Sequence, residues 1–424
     1  MKFKILATLI VSSLTFASVS DAEFNALKDR VEEIEFNNLI KNYTINGNLE
    51  TNYNSYVLES DTNEDQVVRL YGLRSSLDLA FHVNDRIDFY TSFGMSKFWQ
   101  VDARAEGTKT DIDGDGQRDL EPWEISQASG FAYEGANVKV DRAYFNYKIS
   151  KNWLASIGRL PLYDGPMQHQ LDGKPRSGTV ARSARNSVYD GIVLTYDLGQ
   201  FIPQEDSLKV KGFYFPWQNV NKYNRDQQLK TPGSTTNKPG GNAKVASNTL
   251  GSGLLVEYYN RELSWADSFE FHAFSTYYKD FWWNEFKQIY DGFTYTAIFG
   301  VNKIAHTGLN FSLIINGTRW NTADDENTKI KGEGFLYNLN YKFENTAVVG
   351  VEYLKTNKNH YADDFAYTDI DSFYGAKKAN GFHAWTSLPI YDNLRARLGL
   401  YKYDKNATAD DEVTSFYTKL LLNF

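Results

Sequence analysis

The last twelve residues of the chain, Val413-Thr-Ser-Phe-Tyr-Thr-Lys-Leu-Leu-Leu-Asn-Phe424, alternate between apolar and polar side chains. One face consists of Phe416, Thr418, Leu420, Leu422 and Phe424, and the other of Ser415, Tyr417, Lys419 and Asn423, with Leu421 as the exception. A period of two predicts a β-strand. The apolar face ends on an aromatic residue, which suits a membrane barrel because aromatic side chains lie at the bilayer interface.

The composition agrees with a membrane barrel. The 424 residues include 29 Tyr, 28 Phe and 9 Trp, and this 16% aromatic content suits aromatic girdles at both interfaces. The chain contains no cysteine, which excludes disulfides and thiolate chemistry. Beyond the first residues no segment is apolar for about 18 residues, so we predict no transmembrane helix. A closed barrel of alternating strands needs none, because it pairs every backbone group internally.

The first 41 residues predict export and a short helix. Residues 1–22 form a predicted signal peptide, with Lys2 and Lys4 before an apolar run and small residues at Ser20 and Ala22. Residues 23–41 predict a periplasmic helix or short coiled coil. Its apolar positions at heptad spacing are Phe24, Leu27, Val31 and Ile34. An amphipathic helix resting on the barrel mouth is the alternative.

Residues 43–424 predict an all-β protein, a transmembrane antiparallel β-barrel of about 16 strands. Clear alternation occurs at Leu309–Ile315, Phe335–Phe343 and Leu394–Leu400. The predicted connections are alternately short and long. An even number of strands places both ends of the barrel on the periplasmic side, as in single-chain bacterial barrels.

A barrel of this size encloses a water-filled channel, whereas about eight strands would be filled by side chains. An arginine facing lipid at mid-bilayer costs about 2–4 kcal/mol, so arginines in the strands are expected to face the lumen. The predicted lumen wall contains Arg74, Arg142, Arg319, Arg395 and Arg397.

Three stretches of sequence resemble a recurring block of Gram-negative porins: Asp141–Lys148, Trp153–Pro161 and Asp164–Pro166. The likeness is nearest to an uncharacterised family of proteobacterial outer-membrane barrels, and more distant to phosphate-selective and major outer-membrane porins. In such porins a Gly-Arg-x-Pro corner launches the third outer loop, which constricts the pore. The final strand also resembles those of outer-membrane barrels, and this implies that the barrel-assembly machinery reads Phe424.

The predicted third outer loop is basic. Carried over from the resemblance, Arg159 lies at its root, and Lys174, Arg176, Arg182 and Arg185 follow it. If this loop folds inward, its cations form the pore constriction and favour anions. The alternative is that the basic loop contacts lipopolysaccharide phosphates or neighbouring acidic loops.

The most specific local motif is an acidic run in the second outer loop. Its oxygen ligands match the first nine positions of a calcium loop: Asp111, Asp113, Asp115, Gln117 through its carbonyl, and Asp119. The match ends at position 12, which is Pro122 instead of the usual glutamate. We therefore keep two interpretations, a Ca²⁺ site in an outer loop and a flexible acidic surface loop.

Nothing in the sequence predicts an enzyme. The six histidines are scattered, without metal-ligand spacing or a nucleophile motif. The net charge of -8 disfavours nucleic acid as a partner. We predict an outer-membrane porin for small hydrophilic solutes, with an anion preference, no required cofactor, contacts to lipid and lipopolysaccharide, and a homotrimeric state. The alternative is a structural or adhesive barrel with an occluded lumen.

Overall fold

The computed structural model describes residues 42–59, 66–105, 118–119, 137–161, 165–167, 169–170, 178, 185–186, 188–217, 249–283, 288–322, 329–344, 346–357, 363–364, 380–404 and 412–424, together with Asn25, Lys28 and Arg30. Contacts divide the chain into two units, Met1–Thr44 and Ile45–Phe424. In the first unit Asn25, Lys28 and Arg30 are helical. The predicted signal peptide and most of the predicted 23–41 helix lie outside the described residues. No helix in the described ranges is long and apolar enough to cross a membrane.

The described ranges contain sixteen long strands. They are β1 Tyr43–Glu59, β2 Gln66–Asn84, β3 Ile87–Ala105, β4 Asn137–Lys148, β5 Trp153–Pro161, β6 Val188–Asp197, β7 Ser207–Trp217, β8 Thr249–Asn260, β9 Ala266–Trp283, β10 Gln288–Ile304, β11 Leu309–Thr322, β12 Lys329–Lys342, β13 Val348–Thr356, β14 Asn380–Tyr391, β15 Leu394–Asp404 and β16 Glu412–Asn423. A 3₁₀ turn, Gly199–Phe201, joins β6 to β7. Three two-residue strand segments, Arg118–Asp119, Arg185–Asn186 and Asp363–Asp364, lie between the long strands.

Each long strand pairs with the next, and β16 returns to β1. This closing ladder is antiparallel and runs from the pair Asn48–Asn423 to the pair Glu59–Glu412. The predicted barrel of about 16 antiparallel strands is therefore confirmed. Several strands extend beyond the stretches of clear alternation: β11 spans Leu309–Thr322, whereas the alternation is clear over Leu309–Ile315. Backbone pairing continues past the apolar band, where the alternation of side chains gives no signal.

The two faces of the sheet differ as the alternation predicts. Outward side chains are large, apolar and exposed, as at Phe81, Leu339 and Leu400. Inward side chains are largely polar, and those of β9–β16 include His272, Thr318, Asn340, Glu352, His383 and Lys419. A soluble protein would bury the apolar set instead. An apolar belt on the outside of a closed barrel is the arrangement that a bilayer requires.

The connections separate the two ends of the barrel. One end has short turns, such as Asp85–Arg86 between β2 and β3 and Asp392–Asn393 between β14 and β15. The other end has longer connections, including residues 106–136 and 357–379. Short turns are periplasmic and longer loops extracellular in barrels of this kind. The carboxyl terminus lies at the end with the short turns.

The terminal residue joins the last strand to the first. Backbone N–H groups of Gly47 and Phe424 each donate to the other residue's carbonyl oxygen, at 2.7 and 3.0 Å. A Cβ atom on Gly47 would overlap the Phe424 ring. Glycine at this position therefore lets the terminal ring lie against the backbone of β1, so the predicted assembly signal is also part of barrel closure.

We expect Gly47→Leu to weaken barrel closure. The new side chain displaces the Phe424 ring, and overpacking of this kind costs typically about 1–3 kcal/mol. The fraction of heat-modifiable, folded protein on electrophoresis and the urea midpoint in detergent measure the effect. Gly212→Leu is the control, since the nearest atom to a Cβ there is Leu254 Cδ2 at 3.9 Å. Equal folding of both variants would contradict this role for Gly47.

Candidate functional site in the barrel lumen

Part of the third outer loop lies inside the barrel. Three residues between β5 and β6 contact inward-facing residues of β9 and β10. Gln170 Nε2 donates to Asn302 Oδ1 at 2.7 Å. His169 Nε2 lies 3.3 Å from Glu270 Oε1. Met167 lies over Gly300, where a Cβ atom would be only 2.6 Å from its Sδ. The described part of this loop therefore narrows the lumen from within.

The backbone at both ends of this segment has an unusual conformation. Gly158, at the root of the loop, has φ of +129°, which L side chains rarely adopt. Met167 has φ of +74°, a left-handed conformation that costs of order 1–3 kcal/mol for a residue with a side chain. Such a conformation persists only where surrounding packing determines it, and Met167 is only 4% exposed. The loop is thus held against the wall by packing.

Charged groups continue from the loop into the wall. Glu270 Oε2 lies 3.3 Å from His272 Nε2, and His272 Nδ1 lies 4.0 Å from Glu257 Oε1. Glu257 Oε2 in turn pairs with Lys211 Nζ at 2.8 Å. Both carboxylates are buried, and a buried carboxylate is strongly destabilising unless it is paired. This loop anchor, formed by Lys211, Glu257, Glu270, His272 and His169, therefore depends on all of its members.

A second network of inward polar groups crosses β11 to β16. Its members in order are Asn310, Asn340, Asn338, Glu352, His383 and Tyr417. The bonds are 2.7 to 2.9 Å long, and every member is buried. Buried polar groups destabilise a protein unless they are hydrogen-bonded. Because each member of this network has such a partner, the barrel wall can be polar without being destabilised.

The inward face is buried unevenly around the barrel. Inward side chains of β9 to β16 are nearly all buried, including Trp320, Trp385 and Tyr417. Inward side chains of β2 to β7 are mostly half-buried, including Arg74 and Lys209. The accessible part of the lumen therefore borders β2 to β7. The inward side chains of these strands are the ones that a solute in the lumen can contact.

The accessible wall carries charges of both signs close together. A bulge opposite Ser92 and Phe93 leaves Asp141 as an extra residue in β4, and its carboxyl group lies over Gly94 on the inward side. Three arginines, Arg74, Arg142 and Arg159, interact electrostatically with Asp141, as does Asp78. This charged cluster places two inward cations, Arg74 and Arg142, beside the two anions Asp78 and Asp141, and Arg159 acts on Asp141 from the outward face of β5.

The predicted wall arginines divide between the two faces. Arg74 and Arg142 belong to the inward set, as do Arg395 and Arg397. Arg395 Nε donates to the buried Ser387 Oγ at 3.0 Å, and the Arg397 guanidinium lies 4.8 Å from the Trp385 ring centroid. Of the predicted constriction residues, Arg159 is exposed. It has the opposite parity in β5 to Leu154 and Leu160, which line a lumen cavity, so its strand position turns it outward and does not confirm its predicted place in the constriction.

Arg319 lies on the other face. It alternates with the buried inward residues Thr318 and Trp320 and donates to Glu333 Oε1 at 2.9 Å. It shares its face with the apolar residues from Leu309 to Ile315, so the parity of the strand turns it outward. Near the outer end of β11 an arginine facing outward costs only about 0–1 kcal/mol, which explains why the sequence tolerates it.

Most predicted loop ligands lie beyond the described ranges. Lys174, Arg176 and Arg182 are outside them, and for Arg185 only the backbone is described, paired with Asp363. In the predicted calcium loop Asp111, Asp113, Asp115 and Gln117 are also outside, while the backbone of Asp119 pairs with Arg104. Among the residues that the structure does describe, no three acidic or histidine side chains form a metal-binding group.

Sequence reasoning missed the residues that hold the loop. Met167, His169 and Gln170 carry no motif, and their partners lie more than 100 residues away. One signal was available: Gly300 is a glycine at an inward position of a strongly alternating strand. Glycine in such a place often marks the close approach of another segment.

Residues 64–202 match a family model described as Protein of unknown function (DUF3373). No curated protein sequence matches the chain. The structure resembles the anion-selective porin from Comamonas acidovorans at 10% identity and a TM-score of 0.50, covering 90% of this chain and 100% of that one. It resembles the low-pH structure of Pseudomonas putida OprB at 10% identity and a TM-score of 0.50, covering 92% and 95%. The chain thus shares its barrel fold with these two proteins.

Proposed function

We propose that the protein is a diffusion porin for small hydrophilic solutes. The observation that carries this proposal is the placement of Met167, His169 and Gln170 inside the lumen, beside a polar and partly accessible wall. A segment that narrows a pore without filling it sets a size limit and leaves a path for water and ions. Such a passage needs no catalytic residue.

An anion preference is part of the proposal. Two inward arginines, Arg74 and Arg142, flank Asp141, and a third, Arg159, acts on it from the outward face, so positive charge exceeds the negative charge of Asp78 and Asp141 there. Fixed charges lining a narrow passage select ions of the opposite sign. The similar porin from Comamonas acidovorans is named as anion-selective, which agrees with this reading. Any contribution of Lys174, Arg176, Arg182 and Arg185 is a further proposal.

Single-channel recording in planar bilayers tests the proposal. We expect steps of uniform size in potassium chloride, and a reversal potential in a salt gradient that indicates anion preference. A folded barrel that inserts into the bilayer without conducting would overturn the porin proposal. A cation-selective reversal potential would remove only the anion preference.

One observation favours a second candidate, a structural or adhesive barrel with an occluded lumen. The inward side chains along β9 to β16 are buried, so much of the wall is not accessible from a central channel. The same recording separates the two candidates, because an occluded barrel gives no steps. A homotrimeric state and contacts with lipopolysaccharide or the assembly machinery stay predictions of the sequence.

A further inference from the structure

The accessible wall contains a recess that the passage of ions does not explain. It has a volume of about 230 Å³ and is formed by inward residues of β4 to β9. Its base belongs to a buried cluster of apolar side chains, which includes Leu160, Phe215, Leu255 and Phe274. The Phe213 and Phe215 rings stack with centroids 5.1 Å apart. The recess is therefore preformed by packed side chains.

The lining of the recess is mainly apolar, although it faces a polar lumen. Leu154, Leu160, Val193, Phe213, Leu255 and Phe274 contribute to it. An inward apolar surface of this kind is unfavourable in contact with water and serves no purpose for a small hydrated ion. Concave sites with apolar walls and a few polar groups are typical of small-molecule binding.

Two lysines, Lys209 and Lys211, complete the lining. Lys211 is already paired with Glu257 at 2.8 Å. Lys209 has no ion pair within the described ranges and is only half-buried. Ser156 and Asn146 also line the recess and bond to each other at 2.6 Å. A cation beside an apolar pocket is complementary to an anion that carries an apolar body.

We propose that this recess binds a small monocarboxylate whose apolar body is about the size of one aromatic ring. An apolar cavity of about 150 Å³ accepts benzene, so 230 Å³ leaves room for a ring and a carboxylate. The carboxylate contacts Lys209, and the body contacts Leu154, Val193 and Phe274. This inference rests on the proposed porin function. It names a class of solute that binds to the lumen wall while it passes through the pore.

Binding is expected to be weak, because a site along a diffusion path must release its solute. A dissociation constant of about 1 mM, equivalent to about -4 kcal/mol, meets this requirement. Acetate carries the charge without the body, and benzyl alcohol carries the body without the charge. Both are expected to bind at least about tenfold more weakly than benzoate. Benzyl alcohol loses the hydrogen bond between charged groups, and acetate loses the burial of an apolar ring.

The test is calorimetric titration of benzoate into the folded, full-length barrel in detergent, with acetate and benzyl alcohol as comparators. We expect Lys209→Gln to weaken benzoate binding about tenfold. Val193→Trp, which fills the recess, should abolish it. Lys148→Gln is the matched control, because Lys148 pairs with Asp88 at 3.5 Å and does not line the recess.

The site is overturned if benzoate binds no better than acetate, or if Lys209→Gln and Val193→Trp both retain wild-type affinity. It is also overturned if Lys148→Gln weakens binding as much as Lys209→Gln, because general lumen charge then explains the affinity. Chloride conductance of the same preparation separates this inference from the porin proposal. If the barrel conducts chloride but does not bind benzoate, only the proposed binding site is contradicted. If the barrel binds benzoate but does not conduct, only the proposed porin function is contradicted.

Discussion

Replacing Gly300 by leucine is expected to push the third outer loop away from the wall of β10 and to raise the single-channel conductance. Met167 occupies the space above Gly300, and a Cβ atom there would also lie 3.0 Å from Glu270 Cγ. A leucine side chain cannot fit without moving Met167, whose left-handed conformation depends on that packing. Overpacking costs typically about 1–3 kcal/mol, which is comparable to the strain that Met167 already holds.

Gly212→Leu is the control for this experiment, since a Cβ atom there would make only an ordinary van der Waals contact, with Leu254 Cδ2 at 3.9 Å. Cross-linking checks the position of the loop directly, because the chain has no cysteine of its own. The double variant Gln170→Cys with Asn302→Cys should form a disulfide in the wild-type background and fail to do so with Gly300→Leu. An unchanged conductance together with an unchanged cross-link would show that Gly300 does not position the loop.

The double variant Arg74→Gln with Arg142→Gln is expected to shift the reversal potential towards cations. It removes two of the three arginines that act on Asp141 and leaves Asp78 and Asp141 in excess. At an effective dielectric constant of about 20, a unit charge about 8 Å from an ion changes its energy by about 2 kcal/mol before screening. Physiological salt screens much of this effect, so we expect a severalfold change in the permeability ratio.

Arg319→Gln provides a matched control for the lumen arginines. The substitution removes one positive charge, of the same chemical kind, from the outward face, where Arg319 pairs with Glu333. We expect its reversal potential to equal that of the unsubstituted protein. If Arg319→Gln shifts selectivity as strongly as the double variant, net charge and not the lumen cluster determines the preference.

Much of the barrel could be predicted from the sequence, because alternation is a local consequence of the two environments. Each strand contacts lipid on one face and the lumen on the other. The polarity of a side chain therefore indicates which face of the strand it lies on. The inward placement of Arg395 and Arg397 follows from this rule. The prediction for Arg319 was wrong because it assigned this residue to the inward face. Arg319 has the same parity as the outward residues Leu313 and Ile315, so it faces outward. Its position near the end of the strand makes an outward arginine cost little free energy.

The features of the lumen could not be predicted in the same way. The bulge that gives β4 its extra residue, Asp141, depends on the register between β3 and β4 and leaves no mark in the alternation. The loop anchor brings His169 to Glu270, and the hydrogen-bonded network brings Asn310 to Tyr417 through four intermediates. Such contacts are set by which strands become neighbours on closure, and no local pattern encodes them.

The sequence by itself determined a membrane barrel of about sixteen strands with an apolar outside and a polar inside, because each residue responds to the medium next to it. Only the tertiary structure decided where the third outer loop lies, which part of the lumen is accessible, and that a lysine and an apolar recess adjoin. These depend on the closing of the sheet, which brings distant side chains together at distances that a sequence does not contain.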